Sequence, residues 1–181
     1  MKLQNEWVLV RHGQGENNLK PTLVSHEEGY VIPLTQVGRE QAAHFALQDH
    51  DWDVIISSPY LRAQETAEIF AMAARVEVLT ELDFHEINFG DYVGRSKEDY
   101  LEFRKNNLWD TSFPGGESIK KAGERTWNAL QKWDKKFEGK RILLVGHALA
   151  LTGLECILTG HIRNKEDDPA NAEPFALPEK K

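Results

Sequence analysis

At 181 residues, 40% of them apolar, the chain can enclose one sizeable core but is short for two, so a single domain over 1–181 is expected, with 163–181 a polar tail. Its formal net charge is −7, and its Lys and Arg are scattered rather than clustered, which argues against nucleic acid or an anionic membrane surface as a partner. The single cysteine, Cys156, lies in the apolar stretch Leu154 to Leu158 and reads as a buried small hydrophobe; with no disulfide framework, and an N-terminal apolar run too short for a signal peptide or a span, the expected address is the cytoplasm.

There is no internal repeat. The first element is Trp7-Val8-Leu9-Val10, continuous rather than alternating, as in a strand buried on both faces. Thr35 reads as the N-cap of a helix with Val37, Ala42, Phe45 and Ala46 on its core face. Val54-Ile55-Ile56 is a second buried strand. Ser58-Pro59, a cap followed by proline at the first helical position, predicts a helix through about Met72. Val76 to Leu79 is a further strand. Ser118 opens a helix whose stripe is Ile119, Ala122, Thr126, Leu130, Trp133 and Phe137, ending near Gly139; its aromatic residues belong to the core. Ile142-Leu143-Leu144-Val145 is the last central strand. The tail, with Pro169, Pro174 and Pro178, either adds a short edge strand around Glu173 to Leu177 or is disordered. Strands alternating with helices indicate an α/β fold, a three-layer α/β/α sandwich around a mostly parallel sheet. Ligands of such sheets bind beyond the carboxyl ends of the strands.

At those ends stand Arg11-His12-Gly13, then Ser57-Ser58 before Arg62, then Gly146-His147-Ala148. Two histidines and two arginines thus converge on one sheet edge. Phosphoryl transfer needs this pair of residue types: a neutral imidazole attacks phosphorus, and guanidinium forks bind its non-bridging oxygens and offset their charge in the transition state. Gly13 would let the backbone approach the oxyanion. Each piece alone has an ordinary reading: a short chance match for Arg11-His12-Gly13, a structural histidine for His147, a solvated charge for Arg62. The combination, in order, carries the weight.

The sequence resembles the histidine phosphatase superfamily, which includes the phosphoglycerate mutases. The resemblance rests on Val10-Arg11-His12-Gly13 with Asn17, on Leu34 to Ala42, on Ser57 to Ala67, on Glu86 to Gly94, on Pro114-Gly115-Gly116-Glu117-Ser118 and on Leu144-Val145-Gly146-His147. It implies a phosphoglycerate mutase-like fold, with His12 as the nucleophile that becomes phosphorylated and His147 as its partner in a phosphate pocket that Arg11 and Arg62 complete. It also implies that the Asn17 amide helps hold the phosphoryl group, and that Glu86 protonates the leaving alkoxide and then assists the attack of water. Phe84, Ile87 and Phe89 beside Glu86 would raise its pKa while the pocket's cations would lower it, so the direction stays open. Three departures from the family pattern stand out. Gln14-Gly15-Glu16 stands where many members carry a Glu followed by Ser or Thr. Ala148 can offer phosphate only a backbone N–H. His85 precedes the acid and is expected to point away from it.

The reading is a metal-independent phosphatase acting on a small phosphorylated metabolite, with no cofactor. The alternatives are a phosphoglycerate mutase, a phosphohistidine-protein phosphatase, or an inactive phosphate-binding module. Mutases of the family are longer, with an extended substrate loop and an insertion before the final strand. A metal-dependent hydrolase is suggested by seven histidines and by His85-Glu86, but Phe89 stands where the zinc-helix pattern needs its second histidine. The segments Asn18 to Ile32 and Lys97 to Gly116 are expected to form a lid. Glu16, Glu27, Glu28, Asp99 and Glu102 give it an acidic cast that would disfavour polyphosphates. Nothing in the sequence fixes the oligomeric state.

Overall fold

The computed structural model describes residues 3–160 and 169–178. Among the described residues five strands, β1 (Glu6–Arg11), β2 (Val54–Ser57), β3 (Val78–Thr80), β4 (Arg141–Gly146) and β5 (Pro174–Ala176), make one sheet in the order β3-β2-β4-β1-β5. The first four are mutually parallel where they pair. β5 runs antiparallel along the outer edge of β1, Pro174 opposite Val10, a position where a residue without an N–H is tolerated. Of the two alternatives for the tail, residues 174–176 take the edge strand.

Helices follow in the order α1 (Glu16–Leu19), α2 (His26–Gly29), α3 (Gln36–Gln48), α4 (Leu61–Ala74), α5 (Lys97–Asn106), α6 (Ile119–Asp134) and α7 (Ala148–Thr159). Successive residues of the central strands face opposite layers. Leu9, Ile56, Ile142 and Leu144 pack with Leu130 of α6 and with Leu151 and Leu154 of α7. Val8, Val10, Ile55, Leu143 and Val145 pack with Ala42 and Ala46 of α3 and with Ala63, Ala67 and Phe70 of α4. Apolar surface covered on both faces is why these strands read as unbroken runs.

Three local expectations are corrected. Thr35 caps α3, its side chain accepting from Gly38 N, but Val37 is 49% exposed. Val37 lies five residues before Ala42, which at 100° per residue leaves it about 140° off the core face. Ser58 does not cap α4. The N-cap position is Tyr60, and the Ser58 hydroxyl is turned to His147 instead. Finally, α6 starts at its expected Ser118 cap but stops at Asp134, well before Gly139. The Asp134 carboxylate accepts from the backbone of Gln4 and Asn5 and from the Trp7 indole, so the end of α6 is tied to the start of β1. Trp133 and Phe137 stack and lie against the core, and Cys156 is buried.

α6 and α7 cross where Gly123 meets Gly153. A Cβ on Gly123 would lie 2.2 Å from the Gly153 carbonyl carbon, and one on Gly153 would lie 2.3 Å from Ile119 O. The backbones touch, and this contact sets how deeply α7, which begins at the site, sits against α6. Among the described residues no helix is long and apolar enough to cross a membrane. Gly153→Ala is expected to cost about 1–3 kcal/mol through overpacking, a fall in Tm of roughly 2–4 °C per kcal/mol for a chain of this size. Met72→Ala, at a position 80% exposed, should leave Tm unchanged in the same experiment; equal Tm values for both variants would contradict the close crossing.

Candidate active site

The carboxyl ends of β1, β2 and β4 deliver the side chains. His12 follows β1, its N–H donating to Gly146 O (3.0 Å), and Ser58 follows β2, its N–H donating to Val145 O (2.9 Å). His147 follows β4 directly. Arg62 reaches in from the first turn of α4. His12 and Arg62 are each 2% exposed and His147 is fully buried. The two imidazole rings lie 5.1 Å apart.

Arg62 bridges them, with Nε donating to His12 Nε2 (3.0 Å) and an Nη2 contact of 3.2 Å to His147 Nδ1. A guanidinium only donates, so both ring nitrogens facing it must carry lone pairs. The tautomers follow. His12 holds its proton on Nδ1 and gives it to Gly13 O (2.6 Å); His147 holds its proton on Nε2 and gives it to Ser58 Oγ (2.7 Å). Burial, then the charge of Arg62, pushes both imidazoles well below the ordinary histidine range, which keeps them neutral near pH 7. Burial also lowers Arg62 to about 10, opposed by the charge of Glu86, so it stays cationic. Tyr60 lies under the guanidinium at 5.0 Å and meets the edge of His147 at 4.9 Å. Arg62 Nη1 is buried without a hydrogen-bond partner.

A cavity of about 460 Å³ opens above this group. Arg11, Asn17 and Ala148 line it together with His12, Arg62 and Glu86. Gly13 does not. Its N–H donates to Thr66 Oγ1 (3.0 Å), and a Cβ there would lie 2.4 Å from Gly38 O. The approach of α3 therefore requires a glycine here, and its carbonyl fixes the His12 tautomer. Gln14 is likewise held away from the cavity, bonded to Thr35 and Gln41.

Glu86 sits over the start of α7. Its Oε1 accepts from Ile87 N (2.9 Å) and Ala150 N (3.2 Å). Burial dominates and raises its pKa, although those N–H groups and the charges of Arg62 and Arg11 oppose it; the direction left open by the sequence is upward. His85 turns away from the carboxylate, as expected, with its ring 4.8 Å from that of His26.

The segments expected to form a lid do wall the cavity, through Asn18, Thr22 to His26, Lys97 and Tyr100. Their acidic cast is corrected: none of Glu16, Glu27, Glu28, Asp99 and Glu102 lines it. Glu28 caps α2 at Ser25 N and pairs with Lys20, and Asp99 caps α5 at Ser96. The charged lid residue in the wall is Lys97. Sequence reasoning missed Ser58 as a partner of His147, Thr66 as the acceptor for Gly13, and the His26–Tyr60 contact (2.5 Å). Ser58 at the end of β2 carried a signal, being placed like His12 and His147. Tyr60 and His26 carried none. Among the described residues no three His, Cys, Asp or Glu side chains are grouped to hold a metal ion.

The family model described as histidine phosphatase superfamily (branch 1) matches residues 7–169. The uncharacterised phosphatase PhoE of Bacillus subtilis is 30% identical over 154 residues, 84% of this chain and 76% of that protein. Phosphoglycerate mutase-like protein 4 of Arabidopsis thaliana is 32% identical over 161 residues, 82% of this chain and 69% of its own length. Among solved structures, a phosphoserine phosphatase variant from Entamoeba histolytica superposes with a TM-score of 0.78 at 24% identity, covering 97% of this chain and 96% of that one.

The tautomers are testable by ¹⁵N NMR of the imidazoles. His12 should report a protonated Nδ1 and His147 a protonated Nε2, and neither should titrate as pH falls from 8 through about 6.5, the ordinary histidine value. Ordinary titration of either ring would contradict the buried, Arg62-bridged arrangement.

Proposed function

Because this chain belongs to the histidine phosphatase superfamily, we propose that it is a metal-independent phosphatase that hydrolyses phosphate monoesters of a small metabolite through a phosphohistidine on His12. One observation carries the reading. A buried guanidinium with an unspent Nη1 donor stands between two neutral imidazoles, at the mouth of a cavity whose wall also holds Arg11 and Glu86. Such a group matches an oxyanion on three sides and keeps a nucleophilic nitrogen beside it.

The steps follow from the geometry. An entering phosphate dianion takes the Arg62 donors onto its non-bridging oxygens, which frees the His12 Nε2 lone pair. That lone pair attacks phosphorus, the bond from phosphorus to the ester oxygen breaks, and Glu86 gives its proton to the departing alkoxide. The positive charge on the phosphorylated imidazole is supported by Nδ1–H on Gly13 O. Glu86, now a carboxylate, takes a proton from water, whose oxygen attacks phosphorus. The P–N bond breaks, phosphate leaves, and His12 and Glu86 return to their starting protonation states. His147, with Nδ1 on Arg62 Nη2 and its Nε2–H held by Ser58 Oγ, keeps the guanidinium in place for the phosphoryl group. Asn17 and the Ala148 N–H complete the cradle.

Hydrolysis is favoured over mutase chemistry by the far wall of the cavity. A doubly phosphorylated intermediate needs fixed cations away from the nucleophile. The lid side of the wall brings a single ammonium, Lys97, which donates to Asn18 O (2.8 Å), among Leu23, Val24 and Tyr100 and the polar Thr22, Ser25 and His26.

Turnover of para-nitrophenyl phosphate should persist in EDTA, be inhibited by vanadate, and vanish in His12→Ala. EDTA-sensitive activity, or activity that survives His12→Ala, would overturn the reading. Glu86→Gln should lose about 10²–10⁴-fold in kcat/KM on alkyl phosphates and little in kcat/KM on para-nitrophenyl phosphate, whose leaving group scarcely needs a proton, while kcat falls on both because dephosphorylation loses its base. The pH profile has a definite sign. The lowered His12 pKa keeps the nucleophile neutral as pH falls. The raised Glu86 pKa keeps the acid protonated beyond the usual carboxylate range, and that proton is lost as pH rises through its folded value. The kcat/KM optimum for an alkyl phosphate should therefore lie on the acid side of neutrality, with an alkaline limb that disappears in Glu86→Gln.

A further inference from the structure

The segment Pro114-Gly115-Gly116-Glu117-Ser118 lies outside the cavity wall, and the chemistry above gives it no task. Its Glu117 precedes the Ser118 cap of α6 and makes a two-pronged ion pair with Arg125, two turns into that helix: Nε to Oε1 and Nη2 to Oε2, each 3.1 Å. The pair is largely withdrawn from solvent, with side-chain exposures of 15% for Arg125 and 22% for Glu117. Its remaining hydrogen-bonding capacity is directed at one loop. Arg125 Nη1 donates to Asp83 O and to His85 O (3.2 Å). Glu117 Oε2 accepts from Asn88 N (3.0 Å), and Glu117 N donates to Asn88 O (2.8 Å). Residues 83, 85 and 88 are thus gripped on both sides of Glu86.

We infer that the Arg125–Glu117 pair is a positioning clamp that holds the backbone of the Glu86 loop so that the carboxyl of Glu86 meets the leaving oxygen. The pair touches neither the cavity nor Glu86's carboxylate. Its effect is geometric: α6 supplies the grip on the loop backbone, and α7 supplies the Leu149 and Ala150 amides that face the carboxylate. The close crossing at Gly123 and Gly153 fixes one helix against the other, so the acid is held from two sides by a single rigid pair. An exposed ion pair contributes little to stability. This one is bidentate and spends its other donors and acceptors on main-chain groups, which is what an orienting role requires.

The inference rests on Glu86 being the general acid, and the test separates the two claims. Wild type, Glu86→Gln, Arg125→Met, Arg125→Lys and Glu117→Gln are compared on para-nitrophenyl phosphate, phenyl phosphate and an alkyl phosphate, with Tm measured for each. Arg125→Met and Glu117→Gln should lose about 10–100-fold in kcat/KM on the alkyl ester, part of what a general acid supplies. They should stay within about threefold of wild type in kcat/KM on para-nitrophenyl phosphate, giving a steeper dependence of kcat/KM on leaving-group pKa. Arg125→Lys, which keeps the charge but not the fork, should fall between. Glu117→Gln preserves most of the packing and carries the same prediction if Arg125→Met is too unstable to assay. Uniform loss of kcat/KM across all three esters, or no loss, would overturn the clamp. If Glu86→Gln shows the leaving-group effect and the clamp variants do not, the clamp fails and the acid stands. If Glu86→Gln shows none, both fail.

Discussion

The site depends on a buried positive charge. Arg62 is 2% exposed, and burying a cation is costly unless the protein supplies partners in place of water. Here two of its partners are imidazole lone pairs, which forces both histidines to stay deprotonated on the sides facing it. For the proposed reaction, the His12 nucleophile is therefore available at a pH where a solvated histidine would be partly protonated. The same requirement explains the surrounding bonds. Thr66 donates to the Arg62 carbonyl and accepts from Gly13 N, linking the first turn of α4 to the loop after β1. Ser58 and Gly13 take the two outward imidazole protons, so each ring is fixed at both nitrogens before any substrate arrives.

Division of labour in the cavity follows from which elements build each end. The phosphate end is made by residues leaving parallel strands and entering helices, where side chains are locked by the sheet. The opposite end is made by loop residues and short helices. The bridge between Thr22 and Ser96 joins the two lid segments, and the lid reaches the phosphate end through His26 on Tyr60, which in turn lies under Arg62. On the proposed reading, the rigid end sets the reaction and the lid sets which alcohol is accepted.

How much of this was readable in the sequence depended on range. The central strands were legible because burial on both faces leaves an unbroken apolar run, and Thr35 and Ser118 because a cap is a local hydrogen bond. Arg11, His12, Arg62 and His147 were legible because strand ends in a parallel sheet share one edge, whatever separates them in the chain. Ser58 was misread since Ser-Pro has the same local signature whether the hydroxyl caps a helix or bonds a histidine 89 residues away. The packing constraint on Gly13 was hidden because it comes from Gly38 on a different element. The Glu86 pKa shift needed the three-dimensional balance of burial against Arg62 and the α7 amides, and of the acidic residues in the lid segments Glu28 and Asp99 spend their carboxylates on helix caps.

The central claim is covalent chemistry on one nitrogen, and trapping the phosphoenzyme tests it most directly. Wild type and Glu86→Gln would be mixed with para-nitrophenyl phosphate, quenched rapidly into alkali, where a phosphoimidazole survives, and analysed by intact mass and peptide mapping. The expected result is a single added phosphoryl group on His12, accumulating further in Glu86→Gln because the water that releases it has lost its base. Turnover without any adduct, or a phosphoryl group on a residue other than His12, would contradict it.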